Sequence, residues 1–440
     1  MIAALLALAL PTAHAAELTW DGYYRGRALL YDSLSLSETN DNTEGFSSAF
    51  DHRMQLRPSF LLSEHASLHT QVELFPYQLW GDEPDTYTDP VTGEAIAIAQ
   101  ADGTAPLGAG LVATRAWGEA YTSIGRFSLG RMPMMWGAGL LWNDGNDPED
   151  EYGDTADRFQ FSTRVGPIFV LAAYDVAFEG FLGAEDDMSQ ASLGLGYRSE
   201  TAGVGLLNVY RYQPSEQFQS YTGDLWAFTQ LGPVRAELEV AGVFGTGNLD
   251  TGATDIDIMA FGGFLNAEYA LDKLTIGVEG GFATGDKDPD DEKIHTFTFD
   301  RDHNVALVLF EETLPTLQTS VLNESNGGRT TDAALTGDGL SNVLYLRPSV
   351  SYKLRPDVGA ELSWFTGTMA AGPAATDGRT GYGNEFDLSV RYDPHPHVWV
   401  KATAGVLVPG KYYSEYENAD LGKGFDKVSW GGRLIGTVEF

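Results

Sequence analysis

The sequence predicts an all-β chain: a transmembrane antiparallel β-barrel of about eighteen strands, with sixteen as the alternative count. Three observations carry this. Segments of ~10 residues alternate apolar and polar side chains. The links between these segments alternate strictly between short and long. The chain ends on an amphipathic segment closed by an aromatic residue, Phe440.

The N-terminus comes first. Ile2 to Leu10 is apolar but only about half of the ~20 residues that a spanning helix needs. Pro11 follows, then Ala13-His14-Ala15, an A-x-A cleavage pattern. Residues 1–15 therefore read as a signal peptide, and residues 16–440 as a single outer-membrane barrel domain. No Lys or Arg precedes the apolar run, a departure from the usual leader.

Strands are expected to begin near residues 18, 49, 66, 111, 126, 158, 168, 189, 203, 221, 233, 256, 273, 342, 357, 383, 397 and 427. Residues 50–62 show the pattern best. Phe50, His52, Met54, Leu56, Pro58, Phe60 and Leu62 share one face, and Asp51, Arg53, Gln55, Arg57 and Ser59 the other. Residues 158–165 and 384–392 repeat it. Alternation alone also fits a soluble sandwich, whose apolar face meets a core rather than lipid. The links discriminate. Short ones include Ser63–Ala66, Gly166-Pro167, Gly232-Pro233 and Arg355–Asp357. Long ones lie near 33–48, 80–110, 137–157, 179–188, 213–220, 245–255, 285–341, 370–382 and 409–426. Short periplasmic turns alternating with long outer loops are a barrel signature. In the last segment Val428, Trp430, Leu434, Val438 and Phe440 share the lipid face. A terminal aromatic on such a strand resembles the signal read by the barrel-assembly machinery.

Composition agrees. There is no cysteine, so a secreted chain needs another source of stability, which a closed hydrogen-bond ladder supplies. Fifty-one glycines, twenty tyrosines and nine tryptophans suit strands, tight turns and aromatic girdles. The net charge of -35 is dispersed among strand-like segments rather than gathered in a tail. Such acidity argues against a nucleic-acid partner.

Charge placement carries the functional reading. Fifteen of the twenty-seven basic residues fall on the lumen phase: Arg25, Arg27, Arg53, Arg57, Arg115, Arg158, Arg164, Arg198, Arg211, Arg235, Arg347, Lys353, Arg391, Lys401 and Arg433. Acids share that phase, among them Asp21, Asp51, Glu73, Glu119, Asp175, Glu237, Glu239, Glu279, Glu361, Glu385, Asp387 and Glu439. One reading is cross-strand pairing that stiffens the wall. The other is an Arg ladder that guides an anionic solute, because a guanidinium binds carboxylate bidentately and rings of charge set pore selectivity. Residues 137–157 hold seven acids and no base. Acidic outer loops are either simply solvated or bind divalent cations at the lipopolysaccharide surface. The run Asp286 to Glu292 lacks the Gly and final Glu of an EF-hand loop, so no metal site is assigned. No cofactor is expected. Within 285–341, Ile294 to Glu312 is apolar and aromatic, unlike a solvated loop. It is expected to fold into or over the pore as a constriction or gate, so that deleting residues 300–335 raises conductance.

The residues now on the page resemble a family. Arg53-Met54-Gln55-Leu56-Arg57-Pro58, then Ala116-Trp117-Gly118-Glu119-Ala120-Tyr121 leading to Leu129-Gly130-Arg131-Met132-Pro133, then Trp136-Gly137-Ala138-Gly139-Leu140 resemble the alginate-export type of outer-membrane porin. The resemblance covers about the first 170 residues and the strand count. It implies an eighteen-stranded barrel with an Arg-rich lumen, and lumen-wall positions for Arg53, Arg57, Arg115 and Arg131. The mixed lumen charge departs from a polyuronate channel, so the substrate stays unassigned.

The expected function is passage of small polar, anionic or oligosaccharide-like solutes across the outer membrane, in contact with its lipid and lipopolysaccharide. The candidate solute-binding residues are Arg25, Arg27, Arg53, Arg57, Arg115, Arg131, Arg158, Arg164, Arg235, Arg347, Arg391 and Arg433. Rival readings are a structural or adhesive barrel with an occluded lumen and an outer-membrane hydrolase. Against the hydrolase, there are only eight histidines and no G-x-S-x-G or H-E-x-x-H motif. His52 falls on the lipid face, His69 faces inward near Gln71 and Glu73, and His395-Pro396-His397 reads as a turn. A plug-bearing, energy-coupled receptor is set aside, because strands begin within a few residues of the cleavage site.

Overall fold

A computed structural model describes residues 17–34, 36, 46–79, 87–88, 95–96, 111–178, 188–215, 217–248, 256–287, 291–312, 314, 339–372, 378, 380–415, 417–418, 422–423 and 425–440. The expected signal peptide lies outside them.

Eighteen strands form the barrel wall. They are β1 (Glu17–Asp32), β2 (Phe46–Ser63), β3 (Ala66–Leu79), β4 (Leu111–Thr122), β5 (Gly125–Pro133) and β6 (Thr155–Val165). Then come β7 (Ile168–Phe178), β8 (Met188–Arg198), β9 (Ala202–Gln213), β10 (Phe218–Leu231), β11 (Val234–Gly247) and β12 (Ile256–Leu271). The last six are β13 (Leu274–Ala283), β14 (Val343–Arg355), β15 (Val358–Thr368), β16 (Gly381–His395), β17 (Val398–Pro409) and β18 (Ser429–Glu439). Each pairs antiparallel with the next. Closure comes from β1 on β18, in a register running from Tyr23 opposite Glu439 to Asp32 opposite Trp430. The backbone bonds Gly22 N to Phe440 O (3.0 Å) and Phe440 N to Gly22 O (3.1 Å) seal the seam. Among the described residues no barrel strand is left with an unpaired edge, which is what a sheet crossing lipid requires. Every strand starts within about three residues of its sequence expectation, and sixteen strands is excluded.

Side chains sort by the pleat. On the outer face each of the eighteen strands carries at least one exposed large apolar residue, for example Phe50, Leu129, Leu193, Leu265, Leu346, Phe386 and Leu434. A soluble protein does not expose an apolar band this extensive, so the band belongs against lipid. On the inner face Gln55, Asp175, Glu239 and Glu385 are fully buried. They are buried by loops folded into the barrel. Leu140, Phe297, Phe299, Leu307, Val308, Leu309 and Phe310 from two such loops pack with wall residues Phe264, Tyr345, Phe365, Tyr382 and Leu407 in one continuous core. The expectation that Ile294 to Glu312 turns inward is met. At its start, Lys293–Ile294 runs parallel to β12, with Lys293 opposite Asp257 and Ile294 opposite Ile258. All of 315–338 lies outside the described residues, as do three residues of the acidic run, 288–290.

Candidate functional site

Two inward segments shape the lumen. Loop A follows β5 and spans 134–154. Its W-G-x-G motif docks on two wall acids. The Trp136 indole donates to Asp224 (2.7 Å), and the Ala138 amide donates to Glu239 (2.5 Å). Gly137, at φ +57°, leaves room for that carboxylate: an added Cβ would lie 2.5 Å from Glu239 Oε2. Gly145, at φ +64°, lets the loop double back so closely that a Cβ would lie 2.1 Å from Tyr152 O.

The rest of loop A lies along a row of wall arginines. Arg25 donates to the carbonyls of Pro148 (3.0 Å) and Asp150 (3.1 Å). Arg53 donates to those of Asp150 and Glu151, each at 3.3 Å. Arg57 reaches Asn146 O at 3.1 Å. Arg115 reaches Asp144 O (2.8 Å) and Asp154 O (3.2 Å). Arg27 pairs with Asp51 at 2.7 Å and with Glu151. The same arginines are braced from behind. Arg53 takes the Glu73 carboxylate bidentately (3.0 and 2.9 Å), and Arg57 pairs with Asp21. A guanidinium has five donors and can hold a wall acid and two loop carbonyls together, which a lysine cannot do in a fixed plane.

Loop B, 295–312, is held by one carboxylate. Glu385 Oε1 accepts the amides of Leu307 (2.8 Å) and Val308 (2.7 Å), and Oε2 accepts that of Leu309 (2.8 Å). Arg433 adds an ion pair to Glu311 (2.8 Å).

The loops meet at an acidic seam. Asp302 accepts the amides of Glu151 (2.8 Å) and Tyr152 (3.0 Å), and the Asp300 amide donates to Leu140 O (2.9 Å). Burial, followed by neighbouring negative charge, raises the carboxyls here. Asp150 is pushed up to about 7, with Asp147 as its main charged neighbour. Asp300 is pushed up to about 7 by burial and the Asp154 carboxylate. Asp302 reaches about 8 by burial and the charges of Asp150 and Asp300. Asp154 rises too, and it shares a hydrogen bond with Asp300. Asp150, Asp300 and Asp302 therefore hold protons in a range where free carboxylates have lost them.

Between the loops and the wall from β13 to β18 lies a cavity of about 610 Å³. Its wall carries Lys273, Arg347, Lys353, Arg391, Lys401 and Arg433, with Glu361 and Asp387. Its loop side carries Asp147, Glu149, Asp150 and Asp302. Cations thus face acids across an open space of solute dimensions. Some wall charge is already neutralised: Arg347 pairs with Glu361 (3.0 Å) and Arg391 with Asp393 (2.9 Å).

The twelve candidate arginines separate into groups. Arg25, Arg27, Arg53, Arg57 and Arg115 seat loop A. Arg158 is a buried wall partner of Asp175 (2.5 and 2.8 Å). Arg164, on Gly166 O, and Arg235, on Glu237, sit at the short-turn end. Arg347, Arg391 and Arg433 line the cavity. Arg131 is a correction. Its neighbours in phase are outward Leu129 (66% exposed), while inward Ser128 and Met132 are 2% and 3% exposed. Arg131 therefore stands on the outer face, paired there with Asp157 (2.7 Å). Register overrules the motif resemblance that placed it in the lumen.

His69 does face inward, but its partners are Ser59 (2.8 Å), Ser67 (2.7 Å) and Glu119 (3.7 Å). Glu73, the expected neighbour, is taken by Arg53. Sequence reasoning missed Lys273, which sits in a short turn, and Asp224, whose acid phase on β10 was readable but isolated.

No family model and no curated protein matches this chain. Solved structures do. The chain is similar to OccK9 (OpdG) of Pseudomonas aeruginosa, at 15% identity and TM-score 0.56, covering 96% of this chain and 99% of that one. It is similar to the outer membrane protein opdK of the same organism, at 10% identity and TM-score 0.54, covering 96% and 99%. It is similar to a BenF-like porin from Pseudomonas fluorescens Pf-5, at 10% identity and TM-score 0.54, covering 96% and 98%. At these identities the likeness establishes the fold: a closed eighteen-stranded barrel of the kind found in solved outer-membrane porins.

Proposed function

We propose that this chain is an outer-membrane channel that passes small polar solutes, anionic or sugar-like, through the lumen. The cavity between loops and wall carries the reading. Six cations on one wall face an acidic loop edge, in a space of about 610 Å³. That arrangement draws an anion in and orients it, as charged rings do in selective pores. Porins share this fold, which agrees with the reading. The likeness to alginate-export porins rests on the motifs quoted, and the substrate is proposed no more narrowly than the cavity chemistry allows.

The setting follows from the same proposal. Residues 1–15 direct export. The apolar band contacts lipid and lipopolysaccharide. Phe440, on the outward face of the closing strand, is the residue proposed to be read by the barrel-assembly machinery. The test is planar-bilayer recording of the refolded protein in a salt gradient. Chloride preference is expected, and potassium preference overturns the anionic reading. A barrel with an occluded lumen is the second reading, favoured by the continuous apolar core inside the wall. Negligible single-channel current would establish it instead.

A further inference from the structure

Glu149 occupies an unusual position in loop A. Its carboxylate lies 2.5 Å from Lys401 Nζ and 3.8 Å from Arg391 Nη1. Both cations line the cavity. The backbone on either side of Glu149 is fixed: Pro148 O and Asp150 O each accept from the same Arg25 guanidinium. The Glu149 amide donates to Asp147 Oδ1 at 2.8 Å. One cation is fixed as well. Arg391 lies over the Trp399 ring at 4.2 Å and is held by Asp393 at 2.9 Å. A single carboxylate is therefore presented, on a braced stem, to a pair of cations of which Arg391 is braced.

We propose that Glu149 is a tethered stand-in for the anionic solute and sets the strength with which the channel holds anions. The inference rests on the anion-channel reading above and deepens it. A solute carboxylate needs the positive pair Lys401 and Arg391, and Glu149 already fills it. Because Glu149 is part of the chain, its competition is intramolecular. A free carboxylate displaces it only near the effective concentration that the tether imposes. Passage then stays fast, because no anion is held tightly. All three side chains keep partial access to the cavity, at 30% exposure for Glu149, 27% for Lys401 and 42% for Arg391. Exchange of one carboxylate for another needs no unfolding of the loop. No covalent step is involved.

The test uses the full refolded chain in planar bilayers, with succinate as the probe. Block of chloride current by succinate is measured in the wild type, Glu149→Gln, Lys401→Gln and the double variant. Glu149→Gln should strengthen succinate block about two- to fivefold, the range expected for removing a partly exposed ionic competitor. Glu149→Asp, which keeps the charge but shortens its reach, should lie between. Lys401→Gln should weaken block and cancel most of the gain in the double variant. Chloride preference with unchanged succinate block in both Glu149 variants overturns the stand-in role and leaves the channel reading intact. Potassium preference, with no succinate block in any variant, overturns the anion-channel reading and this inference together.

Discussion

Glu385→Gln probes how loop B is held. The wild-type carboxylate accepts three backbone amides, two on Oε1 and one on Oε2. Glutamine keeps one acceptor oxygen and turns an NH₂ toward the third amide. Two amides keep an oxygen acceptor, and one buried N–H is left unmet, about 1–3 kcal/mol. The net is roughly 2 kcal/mol against the seated loop, or about thirtyfold in its equilibrium with an unseated one. A level that the wild type visits about 3% of the time would then be occupied about half the time. Single-channel recording reads this as a long-lived second conductance level above the first. Heat-modifiable gel mobility confirms that the barrel itself is folded. If Glu385→Gln gives the wild-type amplitude histogram with a folded barrel, the carboxylate does not hold the loop, and the argument from its three bonds is wrong.

Arg53→Met removes the bidentate partner of Glu73 and two donors to loop A. Breaking a buried pair costs about 3–5 kcal/mol, so thermal unfolding in detergent should begin at lower temperature, while Arg131→Gln on the outer face should leave it unmoved. The seam makes the loops pH-sensitive. Asp150, Asp300 and Asp302 have folded values above the free carboxyl range, so the folded loops bind more protons than the released ones. Their stabilisation is complete below about pH 4 and is lost as pH rises through about 7 to 8. Current noise should therefore grow from pH 6 to pH 9, and the double variant Asp300→Asn, Asp302→Asn should flatten that profile; a wild-type profile already flat would refute the coupling. Finally, Arg347→Gln and Arg391→Gln should each lower the chloride-to-potassium permeability ratio, whereas Arg164→Gln, at the short-turn end, should change it little.

The fold was legible because a barrel writes itself locally. Period-two alternation and the length of each link are properties of neighbouring residues, and they placed the strands. The terminal Phe440 marked the closing one. The inward turn of Ile294 to Glu312 was legible for the same reason, since its apolar residues need burial. The role of the arginines was not. Whether Arg25 meets a solute or a carbonyl depends on Pro148, 123 positions along the chain, and no local pattern reports that contact. The acidic stretch 137–157 was equally ambiguous: the same charges suit a solvated outer loop and a strap lying on arginines. Arg131 shows the opposite case. Its phase with Phe127 and Leu129 was readable and pointed outward, and motif likeness overrode it.

Loop A is gripped by its carbonyls. Arg25, Arg53, Arg57 and Arg115 take peptide oxygens of residues 144, 146, 148, 150, 151 and 154. Every residue type has that oxygen, so this part of the grip is blind to which side chains the strap bears. Selection can then rewrite a position such as Glu149, whose side chain takes no part in that grip, while the strap keeps its length and path. The barrel behaves as a fixed frame with an exchangeable cassette. Under the proposed channel function, a change of solute needs only a few codons in one short segment, with no new solution to the problem of folding in a membrane.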